Sequence, residues 1–502
     1  MSSARPDSHG RGTRPRRPAE PSSSGPHHPA IHSGNPARFA ASGLTSVHRE
    51  AGEVSGRVHE LRSERTRRRR APASGTSTRT RRVAGALLLA ALLGGGGSAV
   101  SAEPGNAAGG TAGSAPGNAA GNANGARRGK AASEGVSLAD LTVRATSEVS
   151  AYTDDTDVHV LTPTVGATIE SPTGGWSVGG RYLVDVVTAA SPDIIAAASP
   201  PWTEVRHAGS IDGSYQSGDY RVGGQGSVSV EPDYRSLSAG VQGSIDFDEK
   251  NYTLLLAYAF RHDIAGRVGT PFDVFGRVMV QHALSSGLTV VINPSAVMAF
   301  NIDAMLEQGN QAKPYRYVPI FDPAVAGSVR VGASVAEVSA MRLHARPIEA
   351  LPLHRERFAL TGRLAYRFSG ATLRVEERLY ADTWGTKAST TDLRYMFDIG
   401  RRVTLWPHVR MHVQTGADFW ERAYGAVRGG SGALLIPGLR TGDRELGPLQ
   451  SLTGGGGMSL ALGSHWSASL QVDGVFTNYT DAMYISYRRA LFAALGVQAV
   501  FD

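Results

Sequence analysis

Residues Arg357-Phe358-Ala359-Leu360-Thr361-Gly362-Arg363-Leu364-Ala365-Tyr366-Arg367-Phe368 alternate between two kinds of side chain. One parity reads Phe358, Leu360, Gly362, Leu364, Tyr366, Phe368; the other reads Arg357, Ala359, Thr361, Arg363, Ala365, Arg367. A β-strand sends successive side chains to opposite faces, so this run gives a sheet one greasy face and one charged face. The pattern returns from Asp392, where Leu393, Tyr395, Phe397 and Ile399 oppose Asp392, Arg394, Met396 and Asp398. It returns again from Val403, where Val403, Leu405, Pro407, Val409, Met411 and Val413 oppose Thr404, Trp406, His408, Arg410, His412 and Gln414.

Alternation alone fits a soluble sandwich as well as a membrane barrel. Three features favour the barrel. The runs reach 11–15 residues, whereas strands of soluble proteins average about 5–6. Short and long connections alternate, as they do in transmembrane barrels. The chain also carries an export signal, described below. Sixteen such runs follow one another from 142–152 to 488–501, an even number, with tight connections at 172–174, 217–218, 248–250, 293–295, 369–370, 401–402 and 463–465. The long connections, 189–201, 264–275, 308–354 and 418–448, fall on the opposite side. The predicted fold is therefore an all-β, antiparallel up-and-down transmembrane barrel of about sixteen strands with both termini in the periplasm. Fourteen or eighteen strands stay open, because Ser328–Ala340 reads as strand-like.

Upstream the composition changes. Residues 1–102 hold 17 Arg and no Lys against 6 acids, a charge of +11, whereas 103–502 carry −4. The overall +7 thus resides in a leader, and no basic nucleic-acid-binding domain is indicated. Residues 1–82, rich in Pro, Ser, Gly, His and Arg, cannot bury enough apolar surface to fold and read as disordered. Arg81-Arg82, the apolar run Val83–Leu93 and the small residues Val100-Ser101-Ala102 make 83–102 a signal peptide cleaved after Ala102. Its position some way into the chain suggests a true start near Val54, Val58 or Leu61 at a non-Met codon. Residues 103–137 are a Gly/Ala/Asn linker, and 138–502 form the barrel. The absence of cysteine excludes zinc fingers, disulfide scaffolds and thiol enzymes, and the 61 glycines show no collagen period.

On the last strand Leu491, Ala493, Leu495, Val497, Ala499 and Phe501 share a parity. Leu495, Val497 and Phe501 are the candidate signal for the barrel-assembly machinery, with the aromatic residue one place before the terminal Asp502.

Several blocks resemble a known family. They are Ala189-Ala190-Ser191-Pro192-Asp193 with Ala198-Ser199-Pro200, Glu204-Val205-Arg206-His207, Val291-Ile292-Asn293-Pro294 and Lys313-Pro314-Tyr315-Arg316. Further on come Leu351-Pro352 with Arg355 and Arg357, Arg378-Leu379-Tyr380-Ala381-Asp382-Thr383-Trp384-Gly385, and Gln414 with Phe419-Trp420. In this order, over roughly 140–502, they resemble the domain of unknown function 3570 family of Gram-negative bacteria. The resemblance implies an outer-membrane barrel and no assigned activity. Where that family carries two acids this chain has Asp382-Thr383, so no metal or hydrogen-bond role is carried over to the pair.

The interior parity places Arg357, Arg363, Arg367, Arg374, Arg378, Arg394 and Arg410 in the lumen, with Glu376, Asp392 and Asp398 opposing them and His408 and His412 nearby. Unpaired, such arginines would favour anions; paired across strands they would stiffen the wall. On a strand, His408 and His412 lie roughly 13 Å apart and cannot share a metal. Glu377 falls on the lipid parity and is expected to mark a bulge or a shifted register. Asp154-Asp155-Thr156-Asp157 reads as a solvated acidic turn, with Ca²⁺ binding as the alternative. Tyr152, Trp176, Trp202, Tyr252, Tyr380, Trp384 and Trp466 fall near strand ends, as interfacial girdles require.

No hydrolase elbow, phosphate loop, zinc-protease or dinucleotide motif occurs in a sensible context, and Ser431 between Gly430 and Gly432 has no partner base. No catalytic residue, metal or cofactor is expected. The expected function is a channel or conduit for small solutes in the Gram-negative outer membrane, in contact with outer-membrane lipid and lipopolysaccharide. The rivals are a non-transporting scaffold or surface-binding barrel with a plugged lumen, and a hydrolase at the rim.

Overall fold

The computed structural model describes residues 141–189 and 202–501. The leader (1–82), the export segment (83–102), the linker (103–137) and the part of the family signature within 190–201 lie outside the described residues.

Sixteen antiparallel strands follow one another around a closed barrel. They are β1 (Thr142–Asp154), β2 (Val158–Ser171), β3 (Trp176–Ala189), β4 (Trp202–Ser217), β5 (Tyr220–Glu231), β6 (Tyr234–Phe247), β7 (Tyr252–Ala265) and β8 (Arg277–Asn293). The second half comprises β9 (Ala296–Gly309), β10 (His354–Arg367), β11 (Ala371–Asp382), β12 (Lys387–Ile399), β13 (Val403–Gln414), β14 (Leu449–Ala461), β15 (Trp466–Tyr479) and β16 (Tyr487–Phe501). The cylinder closes where β1 pairs with β16, from Val143 opposite Phe501 to Asp154 opposite Ala490. Closure leaves no open sheet edge, which a strand protein in hydrocarbon requires. Strand lengths of 12 to 17 residues exceed the roughly 9–11 that a tilted strand needs to cross a bilayer.

One end of the barrel, where β1 begins and β16 finishes, has only tight turns; the other bears the long connections 310–353 and 415–448. We call these the turn end and the loop end. Ser328–Ala340 is not a strand. Helix α2 (Val335–Met341) occupies its second half, and a one-turn helix, α1 (Pro323–Ala326), precedes it. A capping box sets the start of α2, with the Ser334 side chain accepting from Glu337 N and Glu337 accepting from Ser334 N. That local pairing outweighs the apolar alternation that suggested a strand.

The apolar parity faces outward along the wall, as with exposed Phe358, Leu360, Leu379, Leu393, Val409 and Leu470. Exposed aromatic residues collect at the turn end (Tyr215, Tyr220, Phe247, Tyr252, Tyr366, Phe368, Phe397, Trp466, Phe501) and again toward the loop end (Tyr258, Phe260, Phe358, Phe476, Tyr487). Trp176, opposite Tyr215, joins the first belt. Three of the residues expected there do not. Tyr152 is buried with its hydroxyl donating to Asp154 Oδ2 (2.8 Å), and Tyr380 donates to Asp382 Oδ2 (2.7 Å). Trp384 is buried among Ala417, Leu446 and Phe419. A phenol or indole with a polar group inside the barrel is held there by its hydrogen bond. The side chain of Trp202 lies outside the described residues.

Glu377 marks neither a bulge nor a register shift. It pairs regularly with Gly362 and Thr391 and faces outward, accepting hydrogen bonds from Ser389 Oγ (2.6 Å) and Thr391 Oγ1 (2.5 Å). The acidic turn is only partly solvated: Asp154 Oδ1 accepts from Thr156 N (2.9 Å), Thr156 Oγ1 (2.8 Å) and Val158 N (3.1 Å), and Asp155 accepts from Arg489 N (2.9 Å).

Candidate functional site

The inward parity brings charges from neighbouring strands together, and the arginines meet carboxylates. Arg357 lies 3.1 Å from Glu307, Arg363 2.5 Å from Glu376, Arg367 2.5 Å from Asp398 and Arg378 3.1 Å from Asp303. Asp392 gathers Arg394 (3.3 Å), Arg410 (4.0 Å) and His408 Nε2 (2.9 Å). Arg374 sits opposite Ala365 on one side and Arg394 on the other. Arginine suits this task because its planar fork can serve several oxygens at once.

His408 is the hub of a network across four strands. Its Nδ1 lies 3.0 Å from Asp473 Oδ1 while its Nε2 faces Asp392. Two flanking carboxylates suit the doubly protonated ring, which alone donates from both nitrogens. Gly455 pairs with His408 on one side and Asp473 on the other. Having no side chain, it leaves room for the two to meet. His412 takes a separate partner, Thr390 Oγ1 at 2.7 Å from its Nδ1.

Sequence reasoning passed over Asp473, Asp303 and Glu307, although each lies on the polar parity of its strand; what it lacked was the register. It also carried no hydrogen-bond role to Asp382. That carboxylate is fully engaged, by Arg355, by Tyr380 Oη, by Trp384 N (3.0 Å) and by Thr386 N (3.0 Å). The Arg355 guanidinium stacks over Trp384 at 4.2 Å.

The loop end is covered by a cap with apolar clusters of its own. Val318, Ile320, Tyr424 and Ala426 form one, with Leu343, Leu434 and Ile436 against it. Phe321, Val329, Ala333 and Val338 form another. Segments 310–353 and 415–448 join through a parallel bridge of Ile320-Phe321 with Tyr424-Gly425 and through Arg316, which is 3.3 Å from Glu349 and 2.8 Å from Asp443. Burial alone would weaken the charge on Arg316, but the two carboxylates overcome it and hold its pKa above the ordinary arginine value. Burial pushes the Tyr424 phenol up to about 12, and its hydroxyl donates to Phe419 O (2.9 Å) while accepting from Thr441 N (3.0 Å).

The cap turns into the mouth. Tyr479 on β15 donates to Glu445 (2.8 Å), Arg488 on β16 pairs with it (3.4 Å), Gln414 on β13 donates to Glu445 O (2.6 Å), and Arg277 on β8 reaches Ala312 O (2.8 Å). Toward this end Asp185, Asp263, Gln281, Glu307 and Arg488, on β3, β7, β8, β9 and β16, are buried, and Asp473 is buried at mid-height against His408. Toward the turn end the inner face opens on β10, while Trp406 on β13 and Gln498 on β16 stay buried. On β10 alone the arginine side chain is 2% exposed at Arg357, 42% at Arg363 and 50% at Arg367.

Leu495, Val497 and Phe501 occupy the outward parity of β16, with Phe501 edge-on to Trp466 at 6.2 Å. Ser431 lies exposed in the turn between Gly429 and Ala433. Glu204, Glu231 and Asp233, at the loop end of β4 to β6, bring three carboxylates within 4.8 Å of one another, an oxygen set of the kind hard cations accept and one common among surface acids.

A family model described as a protein of unknown function, DUF3570, matches residues 95–482. No curated protein matches the sequence. Among solved structures, a bacterial polysaccharide outer membrane secretin aligns at TM-score 0.39 and 8% identity over 72% of this chain and 98% of its own. A siderophore receptor, PirA, from Acinetobacter baumannii aligns at 0.32 and 11%, over 68% of this chain and 53% of that one. A mutant ferric enterobactin receptor from Pseudomonas aeruginosa aligns at 0.34 and 10%, over 67% and 53%. The chain thus matches about half the length of the two receptors, and at these identities the likeness concerns the barrel alone.

Proposed function

The chain belongs to the DUF3570 family, and on that footing we propose that it is an outer-membrane barrel acting as a gated conduit for small solutes, shut at its loop end by the cap. The observation that carries this reading is the change along the inner face of β10, from a sealed Arg357 to the exposed Arg363 and Arg367. A charged vestibule that ends under a folded stopper suits a path that opens when the stopper yields. An apolar wall between two aromatic belts supports residence in the bilayer. The turn end and both termini then face the periplasm, and the cap faces outward.

Outer-membrane lipid and lipopolysaccharide meet the apolar wall, and the assembly machinery engages Leu495, Val497 and Phe501. On β10 to β12 the vestibule leans toward anions by one charge, Arg363, Arg367, Arg374 and Arg394 against Glu376, Asp392 and Asp398.

Planar-bilayer recording tests the proposal. The wild-type chain should give no steps at modest voltage, and Arg316→Ala with Glu349→Ala should give discrete, anion-leaning steps. Steps in the wild type would mean an open pore. Silence in both proteins, with heat-modifiable gel migration intact, would favour the plugged scaffold, a reading supported by the pairing of the lumen arginines.

A further inference from the structure

Toward the loop end the outward parity of the wall changes character. It carries His159, His207, His262, His282 and His354 on β2, β4, β7, β8 and β10, and the cations Arg235, Lys387 and Arg489 on β6, β12 and β16. Among the described strand residues Glu356 is the one outward carboxylate at that level. Toward the turn end the same parity holds no histidine, lysine or arginine among the described strand residues, and the aromatic belt takes their place.

These groups are densest on β6 to β10. Leu237, His262, Val280, Gln308 and His354 stand in one cross-strand row, and Ala239, Phe260, His282, Leu306 and Glu356 in the next. Arg235 lies opposite Ile264, one row nearer the loops. Arg235, His262 and His282 are therefore diagonal neighbours over three strands, about 7–8 Å apart at each step. The chain holds them in place without using up their donors. The Arg235 guanidinium stacks over Phe272 at 4.5 Å. The Tyr258 hydroxyl lies 2.8 Å from His282 Nδ1, and Phe260 packs against the same ring at 5.4 Å. A hydroxyl that donates to Nδ1 places the ring hydrogen on Nε2, so His282 turns a donor outward. Among the described residues no acceptor of this chain takes that Nε2, the ring nitrogens of His262 and His354, or the Arg235 guanidinium.

Positive charge and several donors on one patch suit an anion with several acceptor oxygens, and a guanidinium fits phosphate in particular. With the turn end in the periplasm, these rows lie level with the headgroups of the outer leaflet, where lipopolysaccharide presents its phosphates. We propose that Arg235, His262 and His282, with Gln308 and His354 beside them, bind the phosphate groups of outer-leaflet lipopolysaccharide. The proposal rests on the membrane reading above. Glu356, two residues below His354, closes the patch on the side of β10.

The folded protein in detergent is titrated with purified lipopolysaccharide, with the same lipid stripped of its phosphates, and with inorganic phosphate. The temperature at which the folded gel band disappears is followed. Lipopolysaccharide should raise that temperature and saturate, while the stripped lipid and inorganic phosphate should leave it near the untreated value. Arg235→Gln with His262→Gln and His282→Gln should raise the half-saturating concentration about tenfold or more, the loss of one charge-assisted hydrogen bond. Arg401→Gln with Arg402→Gln, in an exposed connection at the turn end, should titrate as the parent does. If the triple variant gives no folded band, Arg235→Gln alone carries the comparison. Equal shifts from both lipids, a shift from inorganic phosphate, no shift in the wild type, or a patch variant that titrates as the parent each overturns the proposal. Intact heat-modifiable migration in those cases leaves the barrel itself standing.

Discussion

His408 of β13 and Asp473 of β15 meet over the bare backbone of Gly455 on the strand between them, Nδ1 to Oδ1 at 3.0 Å. Three strands are thereby tied at one level of the lumen, and Asp392 extends the tie to β12 through His408 Nε2. A Cβ at Gly455 would overlap Val472 O and the Asp473 carboxylate. Gly455→Ala should therefore part the pair and destabilise the barrel by about 1–3 kcal/mol, as overpacking does. The temperature at which the folded gel band disappears should fall. No change would show that the histidine does not tie these strands.

Arg357 and Glu307 form an ion pair that the cap seals from water, with side chains 2% and 0% exposed. Removing one partner leaves a buried charge, whereas replacing both with apolar groups removes the problem. Arg357→Met should cost about 3–5 kcal/mol in urea unfolding from detergent, and Arg357→Met with Glu307→Leu should recover most of it. A single variant as stable as the parent would mean that water reaches this level.

How far these features are legible in the chain varies with the kind of information each needs. Alternation at 357–368 and 403–414 gives strands, face and strand order, because period two is a local property. Ser328–Ala340 misleads since its apolar spacing ignores the capping box of Ser334 and Glu337. The arginines of the lumen are legible as inward, while their partners Glu307, Asp303 and Asp473 depend on register between strands far apart in sequence. Tyr152, Tyr380 and Trp384 look interfacial by position, and only the hydrogen bonds of the two tyrosines and the burial of Trp384 in the cap turn them inward.

Acid should loosen the outer surface of the cap. Glu337 is held down to about 2, first by Arg330 and then by Ser334. A carboxylate with a depressed pKa adds stability above its unfolded value, near 4.5, and that contribution disappears as the pH falls through its folded value. Protection of the α2 amides, taken relative to their intrinsic exchange rates, should fall between about pH 4.5 and 2. Ser334→Ala should bring part of that loss of protection to neutral pH. Protection that is flat across this range would remove Glu337 from the stability of α2.

A nitroxide scan along β10 tests the sealed, two-faced wall most directly. Single cysteines replace residues 357 to 367 in the cysteine-free chain, and each label is probed in bilayers with oxygen and with a water-soluble nickel chelate. Labels at Phe358, Leu360 and Leu364 should be relaxed by oxygen, those at Arg363, Ala365 and Arg367 by nickel, and those at Arg357 and Ala359 by neither. Accessibility without a period of two residues, or nickel reaching Arg357 as readily as Arg367, would contradict a membrane barrel stoppered at its loop end.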